Sequence, residues 1–157
     1  MGITRPEAQA WASLATLVAI FLWFQSRMMD GWTIVDHRAS TLLGVYIALL
    51  ALTTLTETLI AVMGARLGGK RRIDRDERDT AIEARANLNE RLFIIVAVNV
   101  LIWQLMWEGL LPDHGRGPFD VRSAPAIFFW LFAILFGGEI VKRASTVFLY
   151  RLHAARS

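Results

Sequence analysis

The sequence predicts an all-α membrane protein with four transmembrane helices. Four apolar stretches fill most of the 157 residues, at about 8–29, 42–63, 92–111 and 124–141. Each is close to the length of about 20 residues that crosses a hydrocarbon core. Hydrophobic residues make up 55% of the chain, and the charged residues lie mostly between the stretches rather than within them. We therefore predict a single four-helix transmembrane domain.

The composition also excludes several classes of protein. The chain contains no cysteine, which excludes disulfide bonds, thiolate metal sites and the dithiol exchange of four-helix thiol oxidoreductases. Few residues remain outside the four stretches, so a separate soluble catalytic module is excluded as well. The sequence has no nucleophile elbow, phosphate loop, dinucleotide fingerprint or zinc-protease signature, and no span contains a histidine that could hold a haem. We predict that the protein is not an enzyme and has no cofactor.

The first span is predicted to be retained as a transmembrane helix. It is longer than the apolar core of a signal peptide, and no small-x-small cleavage site follows it. Trp11 and Trp23 lie toward its two ends, where amphipathic rings favour the membrane interface.

The second and fourth spans each carry one carboxylate at a similar depth, Glu57 and Glu139. A carboxylate inside a span is costly, so it normally faces a bundle interior or an aqueous cavity and pairs with another group or stays protonated. Thr53 and Thr54 precede Glu57 by one turn, and Arg143 follows Glu139 by one turn. We expect both carboxylates to face the bundle or an interface, with at least one bonded to a hydroxyl or basic side chain. Their role is open between ion or proton handling and structural pairing with basic residues of the middle segment.

The middle segment, at about 70–91, is predicted to be an amphipathic helix that continues into the third span. Apolar residues recur in it near helical spacing, opposite charges lie four residues apart, and neither Gly nor Pro interrupts it before the span. We expect one helix from Asp74 to about Leu111, extended into the cytoplasm at its start. Asn99 and Gln104 of the third span are predicted to form hydrogen bonds between helices.

A short motif precedes the third span. Its residues are Asp76, Glu77, Arg78, Asp79, Ile82, Arg85 and Ala86. With the four-span layout, this run resembles an uncharacterised family of small four-helix prokaryotic membrane proteins that carry an Asp-Glu-Arg-Asp-x-x-Ile motif before the third span. The resemblance implies a shared class and layout, but no activity, because none is assigned to that family. The carboxylates could also hold Mg²⁺ or Ca²⁺, but the interleaved arginines favour a salt-bridged helix.

An internal repeat links the two halves of the chain. Asp36-His37-Arg38 precedes the second span, Asp120-Val121-Arg122 precedes the fourth, and each span has a late glutamate. Two tandem helical hairpins related by a pseudo-two-fold axis along the membrane normal would explain this pattern, as in parallel-repeat transporters. Coincidence is the alternative, since Asp and Arg are common where spans begin.

One Asp-His pair lies in each of the two loops between paired spans, Asp36-His37 and Asp113-His114. Carboxylates and imidazoles bind divalent transition metals, so these four residues are the candidates for a metal site. Two histidines in separate loops are more simply explained as solvated side chains, and no metal is predicted.

The uneven distribution of Lys and Arg predicts the orientation. Seven lie between Arg66 and Arg85, whereas the two loops on the opposite side hold two each. By the positive-inside rule, the middle segment and both termini are predicted to be cytoplasmic, in a bacterial inner membrane. The excess of Lys and Arg on the cytoplasmic side accounts for the net charge of +3, so no nucleic-acid partner is expected.

Two classes of function remain open. The first is an interaction protein, as a homodimer or as an accessory subunit of a larger membrane complex. It is favoured by the small size and by Gly44, Ala48 and Ala51, which can seat a neighbouring helix. The alternative is a minimal ion- or proton-coupled transporter that uses Glu57 and Glu139. The expected partners are the lipid bilayer and other membrane subunits.

Overall fold

Four long helices make up the fold in the computed structural model, which describes residues 5–68, 77–110 and 121–154. They are α1 (Arg5–Met28), α2 (Ala39–Gly68), α3 (Glu77–Leu110) and α4 (Ala124–Ala154). Each contains a stretch long enough and apolar enough to cross a membrane, as judged by length and composition. The prediction of an all-α fold with four candidate spans is confirmed.

The helices are longer than the apolar stretches that predict them. The second stretch ends at about 63, whereas α2 continues to Gly68, and the fourth ends at about 141, whereas α4 continues to Ala154. Hydropathy marks only the part of a helix suited to hydrocarbon, and polar side chains on the continuing turns of α4 find partners on neighbouring helices. The third stretch and the segment before it form one helix of 34 residues, although the expected start at Asp74 lies outside the described residues.

A two-residue β-hairpin joins α1 to α2. It consists of β1 (Met29–Asp30) and β2 (Thr33–Ile34), which pair antiparallel around Gly31 and Trp32. Gly31 has a φ of 61°, a conformation that side chains disfavour, and glycine is typical of the first central position of such tight turns. These strands were not predicted, although glycine at the first of two turn positions, as in Gly31-Trp32, is a known hairpin signal.

The helices pack in the spatial order α2, α1, α4, α3. The α4 helix packs against both α3 and α1, and α2 packs against α1, whereas α2 and α3 share no comparable interface. The chain therefore forms two consecutive helical hairpins that meet through α1 and α4. A two-fold axis exchanging these hairpins would require α2 and α3 to pack as α1 and α4 do. The described helices do not pack with that symmetry.

The bundle has two ends, which we call the hairpin end and the termini end. The hairpin end holds the β-hairpin and the starts of α2 and α4, and the termini end holds the start of α1 and the end of α4. An aromatic core lies toward the hairpin end around Phe24, which is fully buried and stacks on Phe129 with ring centroids 5.4 Å apart. This core holds α1 and α4 together at the centre of the row.

The α3–α4 contact depends on two glycines of α4. A Cβ at Gly137 would lie 2.7 Å from the ring of Phe93, and one at Gly138 would lie 2.8 Å from Ile94. Both distances are shorter than real Cβ atoms show, so a larger residue at either position would require the Phe93 or Ile94 side chain to shift.

Candidate functional site

A layer of charged and hydrogen-bonding side chains, which we call the charged layer, crosses the bundle near its termini end. All four helices contribute to this charged layer, which consists of Ser13 of α1, Glu57 of α2, Glu90 of α3, and Glu139, Lys142 and Arg143 of α4. From Ala39 to Glu57, and from Ala124 to Arg143, each helix rises roughly 28 Å. This rise is close to the thickness of a hydrocarbon core, which is about 30 Å. The layer lies where one boundary of a bilayer would fall.

Arg143 lies between the two glutamates singled out in the sequence. Its Nη2 donates to Oε1 of Glu57 at 3.4 Å, and its Nε lies 3.7 Å from Oε2 of Glu139, an electrostatic contact. The Ser13 hydroxyl donates to the same Glu57 oxygen at 2.9 Å. Two carboxylates share one guanidinium, so this cluster carries a net charge of −1 when all three groups are ionised.

The structure brings Glu57 and Glu139 together, with partners that differ from those expected. Basic residues of the middle segment were one expected set of partners, whereas Glu57 and Glu139 contact Ser13 of α1 and Arg143 of α4. The side chains of Glu57 and Glu139 are 51% and 42% exposed, so they lie at the surface of the bundle rather than in its interior. The expected bond to a hydroxyl and to a basic side chain is present at Glu57.

Lys142 connects the charged layer to α3. Its Nζ lies 3.2 Å from Oε2 of Glu90, and nearby the Asn89 amide donates to the Ser145 hydroxyl at 3.0 Å. Successive residues on a helix point about 100° apart, so the neighbouring cations Lys142 and Arg143 reach different helices. The layer thus ties both outer helices of the row to α4.

Three residues of the predicted motif before the third span, Asp79, Ile82 and Ala86, lie on the side of α3 that packs against α4. Tyr150 donates its hydroxyl to Oδ1 of Asp79 at 3.0 Å, and Ile82 and Ala86 are buried one turn apart. Glu77 and Arg85 are exposed. Asp76 and the side chain of Arg78 lie outside the described residues. Asp79, Ile82 and Ala86 therefore contribute to the packing of α3 against α4.

A further contact closes the termini end between α1 and α4. Nε of Arg151 donates to Oε1 of Glu7 at 3.3 Å, and its guanidinium lies over the Trp11 ring at 5.2 Å from the centroid. Glu7 is buried although it is charged, so this pairing compensates the loss of hydration.

Asn99 does not form the predicted bond between helices within this chain. Its Nδ2 donates to the carbonyl of Ile95, one turn earlier in α3, at 2.8 Å, and the side chain is exposed. The reason is the helix order, because α3 is an outer member of the row and Asn99 points away from α4. Gln104 is half-buried, and its predicted role stays a prediction.

The candidate metal ligands are only partly described. Nε2 of His37 lies 3.0 Å from the carbonyl oxygen of Arg27 and donates to it, and Asp36 is exposed. His114 and Asp113 lie outside the described residues. Within residues 5–68, 77–110 and 121–154, no three His, Asp or Glu residues form a group that could hold a metal ion. A groove of about 380 Å³ lies beside His37, lined by Trp23, Arg27, Thr41, Gly44, Val45 and Ala48.

Comparison of the chain with protein-family models, with curated proteins and with solved structures finds no match. The resemblance to a family of small four-helix membrane proteins therefore stays a prediction.

Proposed function

We propose that this is a small integral membrane protein that acts by helix–helix interaction, as a homodimer or as an accessory subunit of a larger membrane complex. The observation that carries the proposal is the position of Asn99. It lies near the middle of the third predicted span, on the side of α3 that faces away from the bundle.

An amide in this position favours a neighbouring helix over lipid. Asn99 has two N–H donors and an oxygen acceptor, and within the described ranges its only hydrogen bond uses one N–H within α3. Hydrocarbon offers no partner for the remaining groups, whereas a second helix does. The proposed interaction would satisfy them.

The outer helices have the surface that such an interaction needs. No residue in the most apolar stretch of α3 is fully buried within the bundle. On α2, a Cβ placed at Gly44 would meet nothing within 4 Å, so a helix could approach closely there. Under this proposal the charged layer is structural and holds the row together at the cytoplasmic boundary of the membrane.

Photo-crosslinking in the native membrane tests the proposal. A photoreactive amino acid at Leu92, which is exposed on the outer side of α3, should form adducts with protein. The matched control is Leu101, which is half-buried on the side of α3 toward α4 and should form no intermolecular adduct. Adducts with lipid alone at Leu92 would contradict the proposal.

Minimal ion- or proton-coupled transport is the second candidate. It is favoured by the two half-exposed carboxylates that share Arg143 at the level of a membrane boundary. In proteoliposomes, a transporter would show flux that disappears with Glu57→Gln or Glu139→Gln while the protein stays folded. Absence of flux for a range of monovalent cations and protons in the wild-type protein would exclude this candidate.

A further inference from the structure

The α3 helix has two apolar sides, of which only one packs within the chain. Half-buried residues such as Ile94, Ala97 and Leu101 recur at helical spacing on the side toward α4. A second line of residues runs along the opposite side at alternating steps of four and three. This line, which we call the α3 seam, consists of Leu88, Leu92, Ile95, Asn99, Ile102 and Met106.

The spacing of the α3 seam matches the a and d positions of a coiled coil. Leu92, Asn99 and Met106 are seven residues apart and take the a positions, and Leu88, Ile95 and Ile102 take the d positions. The apolar members are about half exposed, from 48% at Ile95 to 56% at Met106. Apolar residues such as Val96 and Trp103 also flank the seam, as on any lipid-facing helix, and Asn99 at its centre is an amide. One asparagine at an a position is a known determinant of helix register and partner number.

We propose that the α3 seam binds the same seam of a second copy of this chain, in parallel, about a two-fold axis along the membrane normal. This inference rests on the proposed function and names the partner. Because α3 is an outer member of the row, its seam is open to a second α3 without rearrangement of the bundle.

The seam is complementary to itself in hydrogen bonding and in charge. An amide is both donor and acceptor, so Asn99 can bond Asn99 of the second copy across the two-fold axis. Two copies of one chain insert in the same orientation, so these amides come to the same depth. No charge lies on the seam from Leu88 to Met106, and the next a position toward the termini end is the exposed Arg85. Repulsion between the two Arg85 side chains would end the contact there, beyond the charged layer.

Disulfide trapping in membranes tests the proposed interface directly. The chain has no cysteine, so single-cysteine variants need no background substitutions. Under oxidant, Ile95→Cys and Ile102→Cys should give crosslinked dimers. Val100→Cys and Leu105→Cys are matched controls, because these residues are 50% and 45% exposed but lie off the seam on either side, and they should give little product. Equal crosslinking at all four positions, or a preference for the controls, would overturn the inference.

Substitution of the amide tests its role without relying on crosslinking. Energy transfer between copies labelled with donor and acceptor fluorophores measures dimerisation as the protein is diluted in liposomes. In this assay Asn99→Leu should weaken dimerisation about threefold to tenfold, whereas Asn99→Gln should retain most of it. The double variant Asn99→Val/Val100→Asn keeps an amide in the span but moves it off the seam, so it should be as weak as Asn99→Leu. Unchanged energy transfer in Asn99→Leu would overturn the role of Asn99.

A photoreactive amino acid placed at Ile95 distinguishes failure of this inference from failure of the proposed function. A covalent dimer supports both. An adduct with a different membrane protein, without dimer, overturns the second copy as partner but upholds helix–helix interaction. Adducts with lipid alone overturn both.

Discussion

Replacement of Arg143 by methionine should destabilise the bundle, because Arg143 is the cation that Glu57 and Glu139 share. Methionine preserves most of the side-chain volume but leaves two carboxylates without their shared cation. Glu57 would keep only the bond from Ser13, and the described part of the chain offers Glu139 no other cation within 4 Å.

The magnitude follows from the exposure of the three side chains. Fully exposed ion pairs contribute about 0–1 kcal/mol, and removal of one partner of a buried pair costs about 3–5 kcal/mol. Arg143, Glu57 and Glu139 are 32%, 51% and 42% exposed, which is between these limits. We therefore expect a loss of about 1–2 kcal/mol in the free energy of unfolding for Arg143→Met.

Reversible unfolding in bicelles, followed by steric trapping or by tryptophan fluorescence, measures this loss. Lys142→Met is the matched control, because Lys142 contacts Glu90 and not Glu57 or Glu139, so its loss should be the same with and without those two carboxylates. In a Glu57→Gln/Glu139→Gln background the effect of Arg143→Met should nearly vanish, since no carboxylate is left unpaired. Equal losses in both backgrounds would refute the electrostatic reasoning.

Three further predictions address the helix contacts, the continuity of α3 and the topology. Gly137→Ala should lower the free energy of unfolding by about 1–3 kcal/mol, because its Cβ would overlap the Phe93 ring, whereas Gly44→Ala, which meets nothing within 4 Å, should leave it nearly unchanged in the same assay. Ala84→Pro, in the part of α3 that precedes the predicted span, should cost about 3 kcal/mol, and Ala84→Gly only about 1 kcal/mol; a proline variant as stable as the wild type would contradict a continuous α3. On intact cells, an impermeant thiol reagent should label Gly31→Cys and Gly117→Cys but not Gly69→Cys; the opposite pattern would reverse the proposed orientation.

The spans and the class of fold were predictable from hydropathy alone. Each apolar stretch has about the 20 residues that a helix needs to cross a hydrocarbon core, and the four helices contain these stretches. The continuity of α3 was also predictable, because no Gly or Pro interrupts the chain between the start of the helix and the span.

The order of the helices was not predictable, and the charged layer depends on it. The outer helices α2 and α3 are apolar around most of their circumference, so no face marks which neighbour each one packs against. Arg143 was identified only as the neighbour of Glu139 one turn away. Its contact with Glu57 requires α2 to lie near α4, which no local pattern in the sequence indicates.

For Asn99, the sequence indicated a type of contact but not the chain that supplies the partner. Its residue type and depth in the span indicated a bond to another helix, but not whether that helix belongs to the same chain. The structure places it on the outer side of α3, so the expected partner becomes one outside the chain.

The mass of the protein in native membrane discs tests the central claim most directly. If the membrane is extracted with a copolymer, without detergent, native mass spectrometry should detect a complex of two copies of the chain, or of one copy with another membrane protein. The same measurement on Asn99→Leu should shift the population toward the single chain. A wild-type protein that is found only as one chain with lipid would contradict helix–helix interaction as the basis of its function.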